Sequence, residues 1–471
     1  MPAVDALCPL RESLPGALGR PVAVLGGGIT GLTAAWTLRQ AGVNVAVLEA
    51  GPRVGGAINT FTSDGWMHEL GPNSMLESSA DVRTLIAELG LDRQVLYAAP
   101  EASKRYIVRE GGPVAMPASP FSFLGTPLFS WQAKANLLGE PFRRRAPAAA
   151  EESVAEFVTR RLGSEFLDYA VNPFVGGVYA GDPRKLSVKF GFPKLWALEQ
   201  EHGSLIRGAI KRRNPSGGPK GRMFSFAGGL QVLPSTMEHL LAGAVRRQHA
   251  VRGVRRSGTG WEVEYETSGR VTRETFAAVV CALPPDALAA IPFDCGTAGA
   301  ALRELGRIEF APVASVFTGY KRAAVAHPLD GFGVLVPEVE RGRILGTLFS
   351  SSLFSGRAPD GHVGLTSFVG GMRQPELLER DDAELESLVQ EDLERLLGVS
   401  DEPVFVHIRR WSRAIPQYTL GYGRNLDLCA AAEREAPGLF IGGNGRDGIS
   451  LANCIGSGRR LAAAVLQAAR R

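Results

Sequence analysis

The chain is poor in the residues that build metal centres and covalent frameworks. It has five cysteines, Cys8, Cys281, Cys295, Cys429 and Cys454, odd in number and widely scattered, with no C-x-x-C pair. That spacing excludes both a disulfide framework and a zinc cluster as organising principles. The seven histidines follow no ligand spacing, so no metal is expected. No run of about 18 apolar residues occurs, which excludes a membrane-spanning helix. The first twenty residues carry an early Asp5 and no apolar core of signal-peptide length, so the cytoplasm is the expected compartment. A net charge of +4 is too weak to argue for a nucleic-acid partner, and none is expected.

Glycine, in contrast, is abundant, at 57 of 471 residues. Many close approaches of backbone to ligand would explain it. The length suits about three structural units. The densest signal is "VAVLGGGITGLTAAW", Val22–Trp36. An apolar run reads as a buried strand, Gly26, Gly28 and Gly31 follow in G-x-G-x-x-G spacing, and a helix-like run closes at Gly42. A second strand, "VNVAVLEA", ends at Glu49. In such a turn the first glycine permits the bend, the second admits a pyrophosphate, and the third lets helix and strand pack closely. The helix N-terminus favours phosphate, and an acid at position 49 accepts from ribose hydroxyls and argues against NADP. The fingerprint is complete, so a dinucleotide is expected here.

The rest of the chain points to a flavin. "GPRVGGAINTF" follows Glu49 at once with Arg53 and the Gly55–Gly56 pair, and "GWMHELGPNSM" adds a turn-rich stretch over Glu69–Asn73. Far along the chain, "GLFIGGNGRDGISLANCIGSGRRLAAAVLQAAR" reads as a strand over 438–442, a glycine-rich turn and a long helix beginning near Ile449. A second helix N-terminus suits a flavin ring, whose edge gains negative charge on reduction. The expected cofactor is one non-covalent FAD per chain. Expected contacts are Gly26, Gly27, Gly28, Ile29, Thr30 and Gly31 in the first turn, and Glu49, Ala50, Arg53, Gly56 and Ala57 after the second strand. Gly71, Pro72, Asn73 and Ser74 form a third group, and Gly443, Ile449, Ser450 and Leu451 a fourth.

The fingerprint, the GG doublet and the G-G-N turn together resemble the flavin amine oxidase superfamily. "ELGPNSM", "KRYIVREG", "NPFVGGVYAGDPRKLS", "GTLFSS", "TSFVGG" and "RRWSRAIPQYTLGY" resemble, more narrowly, the oxygen-dependent protoporphyrinogen IX oxidase family, from Arg20 onward. The resemblance implies oxidation of a porphyrinogen in heme biosynthesis. Hydride would pass to flavin N5, O2 would reoxidise the flavin to give H2O2, and three rounds would aromatise the ring. No side-chain acid or base is implied. By the same resemblance Arg105 pairs with a propionate, Leu335, Leu348 and Phe368 sandwich the macrocycle, and Asn73 lies near the flavin. Gly176 and Gly177 form a loop close to the macrocycle. Val251 meets the adenine end of FAD and Trp411 lies at the cofactor. The family also implies a homodimer and peripheral contact with the inner face of the cell membrane. Coproporphyrinogen III is an alternative substrate. An amine oxidase or carotenoid desaturase on the same fold is another reading, although "GGNGRDGIS" lacks the aromatic residues that face an amine. A GDP-dissociation-inhibitor-like binding protein without FAD is the non-enzyme alternative.

The expected fold is α/β, α+β overall, with a discontinuous Rossmann-like FAD-binding domain (20–79, 224–292 and 403–471). A mixed-sheet substrate domain takes 80–118 and 293–402, and a helical domain 119–223. Within it, Phe121, Phe123, Leu124, Leu128, Phe129 and Trp131 lie beside Arg143–Arg145, a composition that suits either a surface dipping into anionic lipid or ordinary core helices with a solvated charge run. "VRGVRRSGTGWEVEYE" predicts a hairpin turning at Gly258–Gly260. "ERDDAELESLVQEDLERLLG" predicts a helix with a capping box at Asp381 and Glu384 and a stop at Gly398. Lys211–Arg222 predicts a loop, and His68 a structural role.

Overall fold

The computed structural model describes residues 19–147, 150–211 and 221–470. The first eighteen residues, and most of the expected loop after Lys211, lie outside them. Strand β1 (Val22–Leu25), helix α1 (Ile29–Gln40) and strand β2 (Val45–Leu48) form the opening βαβ unit. Both strands are fully buried apolar runs, as parallel strands covered on two faces must be. They sit in a parallel five-stranded sheet with Val245–Arg246 outside β2, and Ala278–Cys281 then Leu439–Ile441 outside β1. The Leu451–Ala469 helix returns across this sheet and packs on α1. The predicted hairpin forms from Ala250–Ser257 and Gly260–Thr267.

A second sheet has seven strands, in the order Phe405–Pro416, Phe310–Lys321, His362–Gly370, Ile344–Leu348, Gly331–Leu335, Lys104–Arg109, Gly112–Ala115. It is mixed, because Gly331–Leu335 runs parallel to Lys104–Arg109 while its other neighbour is antiparallel. One face is covered by the Asp382–Leu397 helix, which carries the predicted capping box and ends at Gly398 in the left-handed conformation. The described parts of 120–211 are mostly short helices, which pack against the other face around Ile107, Phe157, Val175 and Tyr179. Arg161 pairs there with Glu140 and Arg160 with Glu152 and Glu199, while the buried Lys134 donates to the carbonyls of Leu124 and Thr126.

Three expected boundaries move. Phe405–Pro416 belongs to the seven-stranded sheet, paired with Phe310–Lys321, and not to the cofactor unit. Residues 293–308 belong with the cofactor unit: Phe293–Asp294 pairs with the hairpin, and Ala298, Leu302 and Leu305 join the core that holds Leu25 and Leu48. The Ala80–Glu88 helix also packs there, with Val82, Leu85 and Ile86 against the α1 core. In each case the segment goes where its apolar face finds cover, which sequence order does not reveal.

Candidate flavin cradle and substrate wall

The first turn has the geometry its spacing predicts. Gly26 takes φ +102°, and a Cβ on Gly31 would overlap the Gly26 carbonyl oxygen, so only glycine allows this packing of α1 on β1. Gly28 caps α1, and a Cβ there would meet open space, leaving the Ile29–Thr30–Gly31 end of the helix approachable by a ligand. Glu49 stands beside the turn, where one carboxylate oxygen accepts from Gly27 N and the other from Gly51 N, both at 2.7 Å. The exposed Ala50 follows it. His249 N donates to the Glu49 carbonyl, which brings the hairpin strand bearing Val251 to the same corner.

The GG doublet closes on this turn. Gly55 N donates to Gly27 O, and Arg53 donates to the carbonyls of Val54, Ile58 and Gly56. Burial holds the Arg53 guanidinium below its ordinary pKa. A Cβ on Gly71 would overlap the Ala57 carbonyl, which keeps the half-buried Gly71–Ser74 strip against the doublet, and Asn73 donates to Gly71 O at 3.1 Å.

The distant glycine-rich turn is fixed from several sides. Gly443 N donates to Asp447 and to Ser457. Tyr418 Oη donates to Asn444 O at 2.5 Å and accepts from Gly448 N, and Tyr422 Oη donates to Gly445 O at 2.6 Å. These two tyrosines, stacked with ring centroids 4.3 Å apart, escaped the sequence reading. The signal was present as a Tyr pair at i, i+4, but its hydrogen bonds cross more than twenty residues. The final helix begins at Leu451, two residues later than expected. Ser450 is its N-cap, accepting from Asn453 N, and Ile449 lies just outside. A Cβ on Gly458 would lie 2.6 Å from Thr30 O, so this helix and α1 touch backbone to backbone and both present N-termini to the same end of the unit.

Register then places the expected substrate residues. Leu335 pairs with both Ile107 and Gly346, Gly346 with Phe368, and Leu348 lies two residues beyond Gly346. Phe368 pairs with Ser315, and Trp411 pairs with Val313, two residues from it. Alternation therefore sets Arg105, Leu335, Leu348, Phe368 and Trp411 on one face of the seven-stranded sheet. Lys104 and Tyr106 point the other way, both to Asp330. Arg105 is exposed, lies over the Phe332 ring at 5.3 Å, and has no ion-pair partner among the described residues. Gly176 and Gly177 occupy the Asn172–Tyr179 helix, not a loop; tertiary packing overrides their poor helix propensity. A Cβ on Gly177 would come within 2.7 Å of Leu335.

Wall and cradle adjoin. Trp411 Nε1 donates to Leu70 O at 2.6 Å, immediately before Gly71, and Leu335 and Ile449 pack against one apolar cluster. His68 is structural, buried, stacked on Phe317 and bonded to His407 at 2.9 Å. Among the described residues no cluster could hold a metal ion, and no helix is long and apolar enough to cross a membrane.

A two-ended dinucleotide cradle beside an apolar wall defines a flavin-dependent oxidoreductase. Residues 29–466 match the flavin containing amine oxidoreductase family. The chain belongs to that family. It is 36% identical to protoporphyrinogen oxidase 2, chloroplastic/mitochondrial, of Arabidopsis thaliana, over 95% of this chain and 94% of that one. Coproporphyrinogen III oxidase of Bacillus subtilis is 28% identical, over 93% and 96%. A solved structure from Exiguobacterium sp. 255-15 superposes with a TM-score of 0.81 at 25% identity, over 95% and 98%.

Proposed function

We propose that the chain oxidises protoporphyrinogen IX to protoporphyrin IX, using one non-covalent FAD and passing the electrons to O2 as H2O2. One observation carries the reading: Leu335, Leu348 and Phe368 share one sheet face with Arg105, an exposed cation without an ion-pair partner among the described residues, beside the flavin cradle. A broad apolar ring with carboxylates on one edge fits that distribution. The cradle suits FAD, because Glu49 is an acceptor at the ribose position and two helix N-termini are available for anionic groups. Bound FAD supplies the hydride acceptor. The chain's own residues bind and orient: Arg105 receives a propionate, the three apolar residues exclude water, and Trp411 fixes the junction of wall and cradle. No side chain is assigned a proton-transfer role.

Coproporphyrinogen III remains a second reading, favoured by the Bacillus relative. We further propose peripheral attachment to the inner face of the cell membrane through the helical unit. Phe121, Trp131, Leu138 and Phe142 there are 87%, 71%, 76% and 84% exposed, near Arg143–Arg145. Such a face suits the boundary of an anionic bilayer. A homodimer is proposed on the family resemblance. The decisive experiment is aerobic incubation of purified protein with protoporphyrinogen IX, following porphyrin fluorescence and the flavin spectrum together. Accelerated porphyrin appearance from a yellow protein is expected. A yellow protein giving no acceleration refutes the substrate assignment.

A further inference from the structure

The Phe405–Pro416 strand carries three arginines, and their surroundings differ. Arg410 pairs with Asp382, and Arg413 with Asp286 at 2.8 Å. Arg409 has no ion-pair partner among the described residues and is exposed. It pairs in register with Ser315, which faces Phe368, so it shares the site face of the sheet. Its guanidinium lies over the Trp411 indole at 4.6 Å, and that indole is tied to Leu70 O beside Gly71. The next cation is Arg53, which spends its donors on three carbonyls and also lacks an ion pair. The two charges repel, and His407 feels Arg409 as well. Positive charge is thus concentrated at the junction of wall and cradle; the Glu49 carboxylate acts on Arg53, while Arg409 has no carboxylate paired with it among the described residues.

We propose that Arg409 is a potential-setting residue, the counter-charge for the electrons the bound flavin takes up. A flavin gains negative charge on reduction, and a fixed cation nearby favours that state. Were a unit charge about 10 Å from the reduced ring at an effective dielectric of about 20, it would be worth about a tenfold change in the equilibrium. Trp411 makes the placement specific, since the stacked indole holds the guanidinium in one position. The inference rests on the flavin reading of the cradle and is independent of which organic substrate is oxidised.

The test uses the FAD-loaded full chain and the variants R409Q, R409K and R413Q, with midpoint potentials from anaerobic dye equilibration and affinities for sulfite, which adds to electron-poor flavins. R409Q is expected to lower the potential by ~30 mV, about tenfold for a two-electron couple, and to weaken sulfite binding in parallel. R409K restores most of both, and R413Q, already neutralised by Asp286, matches the parent. Thermal melts check that all variants are folded. An R409Q potential equal to the parent's overturns the proposal. So does an equal shift in R413Q, or a raised substrate KM with unchanged potential, which would make Arg409 a substrate anchor. Purified protein that takes up no FAD would defeat the cradle reading itself, an outcome plainly distinct from a yellow protein with an unmoved potential.

Discussion

Two glycines in the Leu451–Ala469 helix give a sharp test of how the cradle is held. A Cβ on Gly458 would lie 2.6 Å from both Thr30 O and Thr33 Cβ, and 3.0 Å from Ala34 N. Two of these are backbone atoms of α1, so no side-chain rotation can relieve the overlap, and the helices must part by nearly an ångström. Overpacking of this kind costs about 1–3 kcal/mol. A Cβ on Gly456 meets only Asp81 Oδ2, at 3.4 Å, an ordinary contact. There the gain in helix propensity, up to about 1 kcal/mol, should prevail. G458A should therefore melt lower and G456A at or above the parent temperature. Because parting the helices moves their N-termini relative to each other, G458A should also raise the Kd for FAD about 5–150-fold, the same 1–3 kcal/mol expressed as affinity. Scanning fluorimetry and titration of flavin fluorescence read both quantities. If the two variants lose stability equally, or G458A binds FAD like the parent, the backbone-contact argument is wrong.

Other consequences are equally direct. E49Q leaves one amide N–H facing a side-chain NH2 where a carboxylate oxygen accepted before; a lost buried acceptor costs about 1–3 kcal/mol, so FAD affinity should fall at least fivefold by fluorescence titration. R105A should reduce kcat/KM for protoporphyrinogen IX about 10–150-fold, the worth of a charge-assisted bond of about 1.5–3 kcal/mol. A substrate esterified at both propionates should not distinguish R105A from the parent, and a difference would refute the pairing. Burial holds His68 down at about 3, against 6.5 in the unfolded chain. The unfolded state binds the extra proton between those values, so this contribution is complete above about pH 6.5 and lost as pH falls toward 3. Its slope is up to about 1.4 kcal/mol per pH unit. Urea denaturation at pH 6.5, 5.5 and 4.5 should show a shallower dependence for H68Q than for the parent, and parallel curves would refute the assignment.

The βαβ unit was legible because glycine spacing there is dictated by backbone contact: Gly26 and Gly31 tolerate no Cβ. The Asp381 capping box was legible because both partners lie within one turn. What escaped depends on partners distant in sequence. Phe405–Pro416 is expected in the cofactor unit from its place in the chain, yet as a strand it pairs with Phe310–Lys321 in the substrate sheet. The family resemblance implies a loop at Gly176–Gly177, yet the pair lies in a helix packed on the substrate sheet, beside Leu335 and Leu345. Tyr418 and Tyr422 look like core aromatics until the turn they hold is folded onto them. Arg409 resembles Arg410 and Arg413 along the strand, and what sets it apart is that helix acids pair with those two while none among the described residues pairs with it.

The backbone contact between α1 and the Leu451–Ala469 helix also constrains how the molecule is made. The two halves of the cradle leave the ribosome roughly 20–80 s apart, at about 5–20 residues per second. In that interval the N-terminal end of α1 is finished but has no second half to close against. The nascent chain is therefore expected to acquire its cofactor late, after the strand at Leu439–Ile441 has docked beside Ala278–Cys281. Its flavin content then reports completed synthesis as much as correct folding. Slow closure over such a sequence separation also makes this step the natural point for a chaperone to act.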